Sequence, residues 1–196
     1  MKHNGFEYVD LGLPSGTKWA KYNVGAYSET DNGLYFPFGG IVGLDSPYYD
    51  GNFDSHKLKF NGDIKATLNL DNDAAHIHMG GRWHMPTKEQ FEELLDEKNT
   101  VSTWIYDYCI REVSGRLFRS RINDETLFIP ANGFISNHQY VQNGQTCSLW
   151  TSSIDFSSVY NCTDFFCDKY NTYLARTSAY YVCIGIRGVF NTFWIK

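Results

Sequence analysis

Three histidines and two aspartates crowd one stretch of this chain: His76, His78 and His84, with Asp71 and Asp73 beside them. Imidazole nitrogens and carboxylate oxygens are zinc ligands, and His-x-His on a strand would turn two rings to one face, as a metal site requires. A complete site also needs a third or fourth ligand and an outer shell of hydrogen bonds to fix the rings. The spacing supplies neither, so no metal is expected. Hydrolysis would call for G-x-S-x-G, a cysteine and histidine in a recognisable setting, or two acids on matching strands. Ser, His and Asp are plentiful but fall in none of these patterns, and the expectation is a protein that is not an enzyme and carries no cofactor. Cys109, Cys147, Cys162, Cys167 and Cys183 form no C-x-x-C pair and no zinc-like spacing. Being odd in number, they cannot all pair within one molecule, and they are read as incidental thiols that pack as small hydrophobes.

A different chemistry stands out in residues 151–181, where 20 of 31 positions are Tyr, Phe, Ser, Asn, Asp or Cys. Tyrosine brings large contact area at low rotamer cost, while Ser and Asn bring adaptable hydrogen bonds, the combination that antibody loops use. The residues expected to make contact are Asp155, Phe156, Tyr160, Asn161, Asp164, Phe166, Asp168, Tyr170, Asn171, Tyr173, Tyr180 and Tyr181. Aromatic anchors would supply most of the energy and Asp and Asn the directional contacts. The acidic tilt favours a basic patch on the partner.

Composition narrows what could carry such a face. At 196 residues the chain suits a single domain over 1–196. Its 42% hydrophobic and 20% charged content is that of a globular protein rather than a disordered or membrane one. The net charge of −5 argues against nucleic acid, which draws on clustered Lys and Arg. The basic run at 111–121 alternates with apolar residues and reads as a strand with a basic outer face. No apolar run approaches the roughly 20 residues of a membrane helix, so no membrane insertion is expected, and residues 2–10 lack the pattern of a signal peptide.

The elements that must position the face are legible in outline. Residues 5–26 alternate apolar and polar around Pro14-Ser15-Gly16, predicting strand, turn and strand. Residues 27–60, full of Gly, Asp, Asn and Tyr, read as a long surface loop. The clearest helix covers about 87–98: Thr87 and Gln90 form a capping box, Glu89 complements the positive helix end, and Phe91, Leu94 and Leu95 make one buried face. A shorter helix is expected at 73–78. Strands follow at 101–110, 116–121, 126–132, 148–154, 163–168 and 181–190, separated by Asn/Gly/Ser turns. A helical N-terminal half followed by antiparallel strands is an α+β pattern. Trp83, Trp150 and Arg187 fall where large residues pack and are expected in the core.

Four segments then resemble one family: YVDLGLPSGTKWAKYNVGA at 8–26, DAAHIHMGGRWHMPTKEQFEELL at 73–95, LFIPANGF at 127–134, and WTSS at 150–153 with GIRGV at 185–189. In this order they are similar to the Fibrobacter succinogenes major paralogous domain family of gut Bacteroidetes and their phages. That family is related to C-type-lectin-like domains, including variable proteins diversified by retroelements. The chain departs from it at His84, where the family places Arg, at Ile186-Arg187-Gly188-Val189, where it has V-R-P-V, and in a longer 27–60 loop. The resemblance implies a C-type-lectin-like fold, a variable region at about 151–187, and display outside the cell, on a cell surface or on a phage virion.

The same kinship raises calcium-dependent sugar binding, but the E-P-N or Q-P-D tripeptide and W-N-D are absent. It also raises the formylglycine-generating enzymes, whose reactive cysteine pair has no matching motif here. Diversification replaces adenines, and an AAC or AAT codon so treated cannot yield Glu, Gln, Met or Trp. Residues 151–181 contain none of these four, an absence expected from composition roughly once in thirty trials. The function so implied is recognition of a protein or glycan on a target surface. An ordinary Tyr-rich β-region, an assembly module of a fimbria or virion, and a carbohydrate-binding lectin-like domain are the other readings.

Overall fold

The computed structural model describes residues 1–48, 67–154, 161–178 and 182–192. Asn4 and Gly5, both at positive φ, make the tight turn between β1 (Lys2–His3) and β2 (Phe6–Val9), the two-residue geometry whose twist matches paired strands. β2 pairs with β3 (Thr17–Asn23) across the expected Pro14–Gly16 turn, closed by Gly16 N–H donating to the Leu13 carbonyl at 2.8 Å. The 27–48 stretch is irregular apart from β4 (Tyr35–Phe36).

Two helices follow. In α1 (Ala74–Met79) the Asp73 carboxylate accepts from His76 N–H at 2.9 Å. α2 (Lys88–Leu95) carries the predicted capping box: Gln90 N–H donates to Thr87 Oγ1, and Thr87 N–H donates to Gln90 Oε1. It stops at Leu95 rather than 98, because Asn99 Nδ2 and Thr100 Oγ1 donate to the Glu93 and Leu94 carbonyls at 2.8 and 2.6 Å. Those bonds satisfy acceptors that a further helical turn would have used.

The strands β5 (Thr100–Tyr108), β6 (Val113–Ser120) and β7 (Thr126–Pro130) form a three-stranded antiparallel sheet. Then come the hairpin β8 (Phe134–Ser136) and β9 (Gln139–Val141), followed by β10 (Cys147–Ile154), β11 (Asn161–Cys167), β12 (Thr172–Ser178), β13 (Val182–Gly185) and β14 (Arg187–Asn191). A seven-stranded sheet runs β12-β11-β10-β13-β8-β9, with β4 on β13, while β14 returns to β3 and closes the four-stranded sheet β1-β2-β3-β14. Among the described residues every strand pairing is antiparallel except β10 with β13.

The described chain is thus mostly antiparallel β with two short helices, and the expectation of a helical N-terminal half is corrected. The residues before α1 already supply four strands to two of the sheets. No helix among the described residues is long and apolar enough to cross a membrane.

Two buried clusters join the sheets. One gathers Leu11 and Trp19 with Phe91, Phe118, Leu127, Leu149 and Phe165; the other gathers Phe36, Met79, Trp83, Trp150, Ile186 and Phe190. Trp83, Trp150 and Arg187 lie in the core as expected. Arg187 is held by acceptors from two strands, β3 and β7: Asn23 Oδ1 at 2.8 Å, the Lys21 carbonyl at 2.7 Å and the Phe128 carbonyl at 3.1 Å. Burial pulls its pKa down to about 9, against the opposing charge of Glu29.

Candidate functional site

The two faces of the β11–β12 hairpin do different work. Strand side chains alternate between faces, and Phe165 and Leu174, register partners, turn inward. Phe165 is fully buried and stacks on Phe91 of α2 at 4.9 Å with an interplanar angle of 9°, and Leu174 packs on the same cluster. Their neighbours Phe166 and Tyr173, also register partners, turn to the other side with ring centroids 5.2 Å apart. Tyr173 is 48% exposed and Phe166 is half-buried. Helix α2 therefore packs behind the face that presents Phe166 and Tyr173.

The turn between these strands is built by Asp168. One of its carboxylate oxygens accepts from the backbone N–H groups of Tyr170 and Asn171, both at 2.7 Å, and its own N–H donates to the Asn171 carbonyl at 3.0 Å. Burial pushes its acidity the opposite way, but these amide donors prevail and hold the carboxyl below the usual aspartate value. Tyr170 projects from the tip, 77% exposed, with the Lys169 ammonium 4.5 Å from its ring centroid. From behind, Arg116 Nη2 donates to the Asp168 and Asn171 carbonyls. Asp168 and Asn171 thus shape the turn, and Tyr170 is what it presents.

Asp164 corrects the expectation that the polar side chains of this segment point to solvent. It lies on the Phe166 side of β11, opposite Trp150 and Ala175, but is only 2% exposed, and among the described residues its Oδ1 has no hydrogen-bond partner. Burial drives its pKa up to about 6, against the opposing hydrogen bond with Thr177. Cys162, Thr163 and Cys167 of the same strand are buried too. Asn161 opens β11, opposite Ser178, while its side chain, with Asp155, Phe156, Tyr160, Tyr180 and Tyr181, lies outside the described residues. The site residues brought together are therefore Phe166 and Tyr173 on one face, with Asp168, Tyr170 and Asn171 at its end.

Lys169 and Arg116 were missed from the sequence. Lys169 sits in the D-K-Y-N turn, which could have flagged it. Arg116 was placed on a basic outer face, yet it is buried, because the carbonyls of the 168–171 turn lie behind β6 and need donors.

The histidine cluster disperses. His76 and His78 lie on α1, not on a strand, so a two-residue spacing sends them to different partners. A ring nitrogen of His76 meets the Trp83 carbonyl at 3.1 Å, His78 meets Ile41 at 2.9 Å and His84 meets Met85 at 2.9 Å. The Asp73 carboxylate is spent on backbone N–H groups of His76 and Met85. Among the described residues no three His, Cys, Asp or Glu side chains are grouped to hold a metal ion.

No family model, curated protein or solved structure matches the chain.

Proposed function

We propose that this protein is a ligand-recognition module of C-type-lectin-like fold, whose Tyr/Ser/Asn/Asp-rich face within residues 151–187 is diversified by a retroelement to bind varied protein or glycan targets outside the cell, on a cell surface or on a phage virion. One observation carries the reading: the β11–β12 hairpin divides buried anchors from outward aromatics. Phe165 and Leu174 fix the backbone against α2, leaving Phe166, Tyr170 and Tyr173 on the other side or at the tip. Side chains so placed can change while the packing behind them stays, which is what a diversified surface needs. Exposed tyrosines are also the residue type that dominates binding energy at protein surfaces.

The test is twofold. The DNA beside the gene should hold a reverse transcriptase and a near-copy of the segment coding for 151–189 that differs only at adenines; a locus lacking both overturns the diversification. In parallel, the chain is screened on immobilised glycans and bacterial surface proteins. Tyr170→Ser with Tyr173→Ser should abolish any binding found, and unchanged binding overturns the assignment of this face. An assembly module is the second reading, favoured by β12 being the end strand of its sheet among the described residues, an edge another chain could extend. An obligate oligomer on sizing would support it.

A further inference from the structure

Cys147 and Cys167 face each other across the β10–β11 pair as register partners, and both are fully buried. The Cys147 thiol donates to the Ile129 carbonyl at 3.3 Å, with Cys167 opposite it on the neighbouring strand. Opposed residues of an antiparallel pair hold their Cα atoms about 4.5–5.5 Å apart, within the roughly 4.4–6.8 Å that a disulfide spans. Arg116 enters from β6 with its guanidinium beside the Cys167 sulfur, its Nε without a hydrogen-bond partner among the described residues and its Nη2 on the carbonyl of Asp168, the next residue. Among the register pairs of the described strands no other two cysteines are opposed.

We propose that Cys147 and Cys167 are a built cross-linking site that closes to an intramolecular disulfide when the chain folds in an oxidising medium. Burial holds the Cys147 thiol well above the ordinary range. At Cys167 burial acts the same way, but the neighbouring Cys147 thiol and the Arg116 charge outweigh it and hold the thiol below that range. Those shifts belong to the closed core; before it closes either sulfur can begin, and the steps are the same with the two exchanged. Cys167, as thiolate, attacks a small disulfide RS–SR, forming a mixed disulfide and releasing one RS⁻, which takes the Cys147 proton. The Cys147 sulfur then attacks Cys167, its S–S bond to R breaks, and the second RS⁻ leaves to be protonated by solvent. Two protein thiols are oxidised and one RS–SR is reduced to two RSH. Because both sulfurs are shut in the core beside Ile129 and Phe165, the exchange belongs to folding, before the core closes. The bond would clamp the base of the hairpin that carries residues 155–160. Its value for recognition rests on the function proposed above; its formation does not.

The experiment refolds the full chain from guanidinium in a buffer of reduced and oxidised glutathione, then labels free thiols with N-ethylmaleimide under denaturing conditions. Of five cysteines, three should take label, and a peptide digest should join the fragments holding 147 and 167. Dithiothreitol before labelling should restore five. Cys147→Ser and Cys167→Ser should each give four labels after the same refolding, and Cys162→Ser should give two. Five labels on the refolded parent, or a different linked pair, overturns the proposal whether or not any serine variant folds. Binding by the reduced and oxidised parent is a separate readout, and its failure bears only on the recognition reading.

Discussion

Burying a carboxylate favours its protonated form, and Asp164 is buried on the strand proposed to carry recognition. Its carboxyl titrates at about 6 in the folded chain against an ordinary 3.8. Between those values the folded state binds more protons than the unfolded state. Its contribution to stability is therefore full below 3.8 and is lost as pH rises through about 6. At about 1.4 kcal/mol per pH unit, the loss is on the order of 3 kcal/mol. Asp164→Asn removes this titration and keeps an acceptor for Thr177. Urea unfolding of parent and variant at pH 4 and pH 7 should show their stability difference moving in the variant's favour by on the order of 2–3 kcal/mol. A difference that does not change with pH would show Asp164 to be ordinary. A pattern of residue types cannot reveal this, since Asp in a Tyr-rich strand looks like a surface contact until the burial of its neighbours is known. Arg116 misled in the same way: alternation placed it outside, and acceptors more than 50 residues away draw it in.

Elements were legible where their determinants are local. The α2 capping box lies within four residues, and both of its hydrogen bonds form as predicted. Thr87→Ala leaves the Gln90 N–H without its acceptor and should cost roughly 1 kcal/mol. Because α2 packs behind Phe165, away from Phe166 and Tyr173, binding should survive; a thermal melt beside a binding assay checks both. The β8–β9 hairpin escaped notice for an equally local reason. Asn137 and His138 both take positive φ, the tight turn usually written Asn-Gly, and histidine in the glycine place hid it. The β10–β13 and β3–β14 pairings join segments far apart in sequence, and nothing local encodes which distant strand becomes the neighbour. The order of strands was therefore readable in part, and the sheets they form were not.

At the scale of the whole molecule, residues that join sheets should separate in their effects from residues that only decorate one. Trp150 belongs to the first kind. It is fully buried on β10, its indole N–H donates to the Phe36 carbonyl at 2.8 Å, and its ring meets Phe38 edge-on at 5.4 Å in a cluster shared with α1, β3 and β14. Trp150→Ala removes that volume and a buried hydrogen bond, and should cost roughly 3–5 kcal/mol. For a domain whose whole stability is about 5–15 kcal/mol, that approaches unfolding. Tyr170 and Tyr173 belong to the second kind: both are exposed, and the backbone beneath them is fixed by Asp168, Arg116, Phe165 and Leu174. Tyr170→Ser with Tyr173→Ser should stay within about 0.5 kcal/mol per site, the usual range for surface changes. Measured side by side in thermal melts, the double variant should melt within a few degrees of the parent, and Trp150→Ala should express poorly or melt far below it. If the double variant unfolds instead, these tyrosines hold the hairpin together, and a face that can change its outward residues freely is not what the β11–β12 hairpin provides.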